Sequence, residues 1–267
     1  MLDVRLGYAA LVALALLPCA GARACSGLAD GPAGVVTEVL DGNTVKLDSG
    51  ILVRLIGAQA PLSAGRRPGS RAQPLAAEAK AALEQLVLGK PVRLGLDSEE
   101  LDRYGHMQAQ LFVDDSNAWI EQEMLARGMA RVVVAPQNRA CIAELIAAEN
   151  GARSNRLGIW ADPDYSVFDA ADPAALEGRA GQYEIIEGDV VGTGEARGRV
   201  YIDFGRVWKD DVTATIDQKA RALFVAAGID PLSLKGKRVR VRGWLANAQG
   251  PLVELDVPEQ LEVLGSK

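Results

Sequence analysis

Asp41, Asn43, Arg54, Gln59 and Leu62 fall within one stretch, "DGNTVKLDSGILVRLIGAQAPL", and Arg54 carries its plainest chemistry. A guanidinium is a rigid fork of donors that matches two oxygens of a phosphate. A turn, a strand bearing arginine and a loop closing on proline outline a metal-dependent phosphodiesterase site. Such a site needs ionised oxygens for a hard cation and a base that takes a proton from water. Asn43 and Gln59 in this stretch offer neutral amides, and Leu62 offers no polar group. Asp41, in the turn, and Asp102, before Tyr104, are the remaining candidates for a rearranged metal site, with Asp48 at the next turn.

Other cations occur in two places. "SAGRRPGSRAQ" carries Arg66, Arg67 and Arg71 on a Gly- and Pro-rich loop, which would contact phosphate or simply be solvated. "KRVRVRGW" sets Arg238, Arg240 and Arg242 on one face of a strand by its period of two. With Trp244 and Trp208 they would form a phosphate-tracking, base-stacking groove. The competing reading is a cross-strand charge ladder with Glu254 and Asp256. His106 is the single histidine, so a zinc site or a histidine-assisted serine or cysteine has almost nothing to build on.

The elements that would position these residues follow from the pattern. "GVVTEVLDG", "NTVKLDSG" and "ILVRLIG" alternate as strands between Asp-Gly and Ser-Gly turns. "PLAAEAKAALEQLVLG" reads as an amphipathic helix opened by Pro74 and closed by Gly89. "KPVRLGLD" and "MQAQLFVDD" are two more strands, and helices are expected around Trp119–Arg127 and Arg139–Ala152. Five strands interrupted by a helix predict a small oligonucleotide-binding-type (OB) barrel over residues 30–161. Residues 162–181, rich in proline and aspartate, read as a linker. Residues 182–265 repeat the plan of three strands, a helix and two strands. The fold class expected is mainly β with helices, α+β, in two tandem barrels.

Residues 1–24 stand apart. Arg5, an apolar run from Gly7 to Leu17 and small residues at Ala22 and Ala24 make a secretory signal peptide, with cleavage after Ala22 or Ala24. The apolar core is short of the roughly 20 residues of a membrane-spanning helix, although a retained anchor is the competing reading. Export to a bacterial periplasm or beyond would let Cys25 and Cys141 pair; a lipid anchor on Cys25 is the alternative. The net charge of −6 argues against a generally basic, nucleic-acid-coating protein but leaves room for a local basic groove.

The ordered motifs "VLDGNTVKL…VRLIGAQAPL…AAEAKAALEQLV…DRYGHMQAQLF…MLARGMARV…GIW" resemble the staphylococcal nuclease-like (thermonuclease) family over residues 33–161. They also resemble an exported bacterial branch with a β-rich C-terminal extension. The resemblance implies an OB-type barrel and calcium-dependent hydrolysis of DNA and RNA. It also implies which positions matter. The metal-binding aspartates fall on Asn43 and Gln59, and the catalytic glutamate falls on Leu62. The two phosphate arginines fall on Arg54 and His106, and a metal-binding backbone carbonyl falls on Ala60. Of the five charged positions only Arg54 survives.

The expected function is therefore a degraded nuclease that binds without efficient catalysis. No cofactor is expected, and calcium would enter only with residual phosphodiesterase activity. The expected partner is single-stranded nucleic acid or an envelope protein.

Overall fold

The computed structural model describes residues 25–64, 72–97, 101–207, 210–248 and 250–265. The signal segment, Arg66, Arg67, Arg71 and Trp208 lie outside the described residues.

The first barrel is built from β1 (Ala29–Asp41), β2 (Thr44–Leu47), β3 (Leu52–Leu55), β4 (Ala58–Gln59), α1 (Ala76–Val87), β5 (Pro91–Leu96) and β6 (Met107–Val113). β7 (Ala118–Trp119), α2 (Ile120–Ala126), β8 (Arg131–Val132) and α3 (Ile142–Ser154) follow. Strand order is β3-β2-β1-β5-β6, and a parallel β3–β6 pairing closes the ring. Register shifts at Asp30/Ala33, Val36/Glu38 and Val39/Asp41 bend β1, so its first part pairs with β5 and its second with β2. Alternate apolar residues such as Val45, Leu47, Val53 and Leu55 turn inward, and α1 covers them with Ala79, Leu83 and Val87.

The second unit contains β9 (Phe168–Asp169), β10 (Tyr183–Asp189), β11 (Gly192–Ala196), β12 (Arg199–Asp203) and β13 (Thr213–Asp217). It continues with α4 (Gln218–Ala226), β14 (Arg238–Asn247), β15 (Pro251–Glu254) and β16 (Leu261–Leu264). The pairings run β11-β12-β13-β15-β14-β10. Because β10 and β11 are successive pieces of one bent course, the order returns on itself. Its parallel pair, β13 with β15, matches the β3–β6 pair of the first barrel. Both units also place a helix between the third and fourth strands of the ring. The expected count of three strands before the helix becomes four, since "YEIIEGDVVGTG" breaks at Val190–Val191.

Residues 162–181 are packed rather than a bare linker. β9 pairs in parallel with β10, and Ala170 and Leu176 are buried in the second core. Tyr165 is buried and its hydroxyl donates to the Pro74 carbonyl of the first barrel at 2.9 Å. The density of proline and aspartate masks these few apolar anchors.

The barrels meet along a charged seam. Glu149 on α3, fully buried, accepts from Val132 N–H at 2.7 Å and from Arg242 Nη1 at 2.8 Å. Arg242, itself 1% exposed, also holds Glu262 at 2.9 Å. Arg179 donates to Glu184 at 2.9 Å, and Arg131 lies 3.4 Å from the same carboxylate. Arg139 grips Glu259 at 2.6 Å. Val257, from the second unit, packs into the first core. A disulfide joins Cys25 to Cys141, tying the segment before β1 to the start of α3. No helix among the described residues is long and apolar enough to cross a membrane.

Candidate functional site

The turn between β1 and β2 is held by the side chain of Asp41, whose Oδ1 accepts the Asn43 N–H at 2.9 Å. Gly42 is required by proximity: a Cβ there would sit 2.5 Å from Ala60 Cβ. The Asn43 carbonyl accepts from Leu55 N–H at 2.9 Å, which anchors the turn to β3. Arg54 on β3 reaches back across β2. Its Nη1 donates to Thr44 Oγ1 at 3.3 Å and stands 4.0 Å from Asp41 Oδ2.

β3 then leaves the barrel wall at Gly57, whose φ of +79° suits glycine. A Cβ at Gly57 would also fall 2.5 Å from Leu145 Cδ1 of α3. That bend delivers Gln59 to β4, where it pairs with Arg131 of β8. Beyond it Leu62 donates its N–H to Gln73 Oε1 at 2.7 Å, and Gln73 N–H returns to the Leu62 carbonyl at 2.9 Å.

Asn43, Arg54, Gln59 and Leu62 thereby line one cleft of about 470 Å³. Its remaining polar and aromatic wall comes from Arg103, Tyr104, Gln108, Asn138 and, from the second barrel, Trp244. Asn138 is buried and donates to Gln108 Oε1 at 3.3 Å. Asn138 Oδ1 and Gln59 Oε1 are buried with no hydrogen-bond partner among the described residues.

His106 does not line this cleft. Its Nδ1 lies 3.1 Å from Asp102 Oδ2, and Asp102 Oδ1 also accepts the backbone N–H groups of Tyr104 and His106. Burial opposes ionisation of Asp102, but those two N–H donors and the imidazole outweigh it and hold the carboxyl below its ordinary value. Asp102 thus shapes its own loop, and that loop brings Arg103 and Tyr104 to the cleft instead. The sequence reading missed Arg103, although it stands inside "DRYGH" as a cation three residues before His106. Trp244 gave no signal that it belonged to the first barrel's cleft.

The groove expected on β14 is corrected. Arg238 lies 3.7 Å from Glu187 and 3.6 Å from Asp189. Arg240 donates to Glu187 at 2.6 Å and to Glu262 at 2.9 Å, and Arg242 is buried between Glu149 and Glu262. Burial works against the charge of Arg242, yet Glu149, Tyr183 and Glu262 together raise its pKa. Only Arg242 ties the two barrels together, through Glu149; Arg238 and Arg240 spend their donors on carboxylates of their own barrel, so none of the three is left free for phosphate. The ladder partners expected, Glu254 and Asp256, are also not theirs: Glu254 pairs with Arg199 at 3.0 Å. Strand alternation gives the face but not what packs on it.

A calcium ion does not fit the donors present. One Asp41 oxygen accepts from Asn43 and the other faces Arg54, while Asn43 and Gln59 are uncharged. No group of three His, Cys, Asp or Glu side chains able to hold a metal occurs among the described residues. A hard divalent cation selects ionised oxygens, several at once.

A closed five-stranded barrel with an arginine-bearing cleft beside its third strand defines an OB-type domain. Residues 52–162 match the family model for staphylococcal nuclease homologues. The chain is also 28% identical over 133 residues to a thermonuclease of Staphylococcus intermedius, an alignment covering 49% of this chain and 77% of that protein. Both likenesses fall on the first barrel, whose residues are similar to the staphylococcal nuclease domain.

Proposed function

We propose that this is an exported nuclease-like protein that binds single-stranded nucleic acid in the cleft without hydrolysing it. One observation carries the reading. Arg54 and Arg103 line a cleft in which Asn43 and Gln59 stand where the family pattern has metal carboxylates, and Leu62 where it has the catalytic glutamate. In a metal-dependent site those carboxylates repel phosphate until a cation offsets them. Replaced by amides, they leave the arginines free to attract phosphate with no metal present. Leucine cannot take a proton from water, and losing even one positioned group at such a site costs about 10²–10³ in rate. Export is supported by the Cys25–Cys141 bridge, a type of bond that persists in oxidising compartments.

The test is hydrolysis of heat-denatured DNA and of RNA by the purified protein, with millimolar calcium and with chelator, beside a binding titration. The expected result is no turnover in either condition. Binding should be unchanged by chelator and should fall steeply between about 50 and 200 mM salt. Calcium-dependent turnover abolished by Arg54→Ala would overturn the non-catalytic reading and return attention to Asp41. Absence of binding at about 50 mM salt would overturn the nucleic-acid reading.

A further inference from the structure

β14 turns Arg238, Arg240, Arg242 and Trp244 to one face, since alternate residues of a strand share a side. The first three end on carboxylates of β10, β16 and α3. The fourth is held differently. Trp244 packs edge-on against Tyr183, ring centres 5.5 Å apart, and remains 54% exposed. Tyr183 is itself fully buried, and its hydroxyl accepts from Val134 N–H of the first barrel at 3.2 Å. The indole is therefore fixed by a buried partner and by the Arg242–Glu149 pair two residues away, yet presents half its surface to a cleft whose other walls belong to the first barrel. An exposed, rigidly held tryptophan beside cations is chemistry for stacking a flat ring. Tyr104, 69% exposed, adds a second ring to the same cleft, with the Arg103 guanidinium 4.9 Å from its centre. Gln59 and Asn138 contribute amide oxygens that lack a partner and would accept from an amino group once turned outward.

We propose that the cleft is a composite site completed by the second barrel, in which Trp244 stacks on the base of one unpaired nucleotide whose phosphate is held by Arg54 and Arg103. The inference rests on the nucleic-acid reading above and adds to it the residue that grips the base. It makes the second barrel part of the binding site, which explains why β14 is fastened to α3 by a buried ion pair. Stacking is tolerant of base identity because every base has a π-face, so the site selects unpaired over paired strands rather than one sequence.

The experiment compares the full protein with Trp244→Ala, Trp244→Phe and Arg54→Ala, by fluorescence anisotropy, on a labelled oligothymidylate and on its abasic counterpart. Trp244→Ala should weaken oligothymidylate binding about ten-fold, Trp244→Phe should recover part of the loss, and neither should change binding of the abasic strand. Arg54→Ala should weaken both strands. The phenylalanine variant keeps a ring against Tyr183, and misfolding of the alanine variant would weaken abasic binding as well, so unaltered abasic binding identifies the loss as one of stacking. If oligothymidylate binding is lost on Arg54→Ala but untouched by Trp244→Ala, the composite site is wrong while the nucleic-acid reading stands. If the parent protein binds neither strand, the nucleic-acid reading itself falls. If instead a neutral chitooligosaccharide binds and Trp244→Ala abolishes that, the indole serves a sugar ring and the proposal is overturned.

Discussion

Arginines line both the cleft of the first barrel and the seam between the barrels, and they do opposite things. Arg54 is about a third exposed, and its nearest carboxylate is 4.0 Å away. Arg242 is 1% exposed and clasped by two carboxylates at 2.8 and 2.9 Å. A guanidinium in the first setting has donors left for a ligand. In the second its donors face carboxylates, and removing it strands a buried negative charge. The two are told apart by what packs over them, which strand alternation does not reveal.

The largest test of that contrast is Arg242→Ala. It leaves Glu149 buried with only the Val132 N–H, and breaking a buried pair from one side costs about 3–5 kcal/mol. Denaturant unfolding should show that loss, whereas Arg54→Ala should change stability by no more than about 1 kcal/mol. A double variant, Arg242→Met with Glu149→Gln, should lose less than Arg242→Ala, because no charge is left stranded. Equal losses for Arg54→Ala and Arg242→Ala would erase the distinction.

Somewhat smaller is the effect of the disulfide. It fastens the chain before β1 to α3, the helix that also presents Glu149. Replacing Cys25 and Cys141 together by serine should destabilise by about 2–5 kcal/mol, read as a lower denaturation midpoint. If the bridge and the ion pair both fix α3, the disulfide loss combined with Arg242→Ala should depart from additivity. Strict additivity would mean that each acts on its own part of the fold.

Much of the first barrel was legible because period-two alternation, Asp-Gly and Ser-Gly turns and an amphipathic helix all agreed. That agreement also gathered Asn43, Arg54, Gln59 and Leu62 into one cleft, as their spacing on turn, strand and loop implied. The partners of β14 were not legible for a physical reason. Arg240 meets Glu187 from 53 positions away, and Arg242 meets Glu149 from 93. The first pairing is set by which strand lies beside β14 in its own barrel and the second by how one barrel docks on the other, and no local pattern contains either. The same docking hid Trp244, which reads locally as a residue of its own barrel.

A third buried carboxylate sharpens the comparison. Glu121, like Glu149, is fully buried, but its two oxygens accept the Leu111 N–H, each at 3.1 Å, with its own backbone N–H and Trp119 as further neutral donors, and among the described residues no arginine pairs with it. Burial raises its pKa well above the ordinary 4.5, and these neutral donors offset only part of that. The sign follows from linkage. The folded state holds the proton more tightly than the unfolded chain. Stability from this group is therefore fully present below about 4.5 and declines as pH rises towards the folded value. Glu121→Gln should flatten that decline and gain stability at neutral pH relative to the parent, measured by urea unfolding across pH. A decline unchanged in the variant would assign it to another group.

The smallest expected effect is at Arg199. It holds Glu254 at 3.0 Å, close to the 2.8 and 2.9 Å of the Arg242 pairs, yet both side chains are about half exposed at 40% and 48%. Water already solvates each partner, so their attraction is screened and the two long side chains lose rotamer freedom to meet. Arg199→Ala should cost about 0.2–1 kcal/mol, and the cost should shrink in about 1 M salt, where screening acts within about 3 Å. Arg242→Ala should keep most of its penalty in the same salt, because the seam excludes the screening ions. Similar distances with different salt responses would make burial, not geometry, the variable that separates an arginine able to receive a ligand from one that holds the protein together.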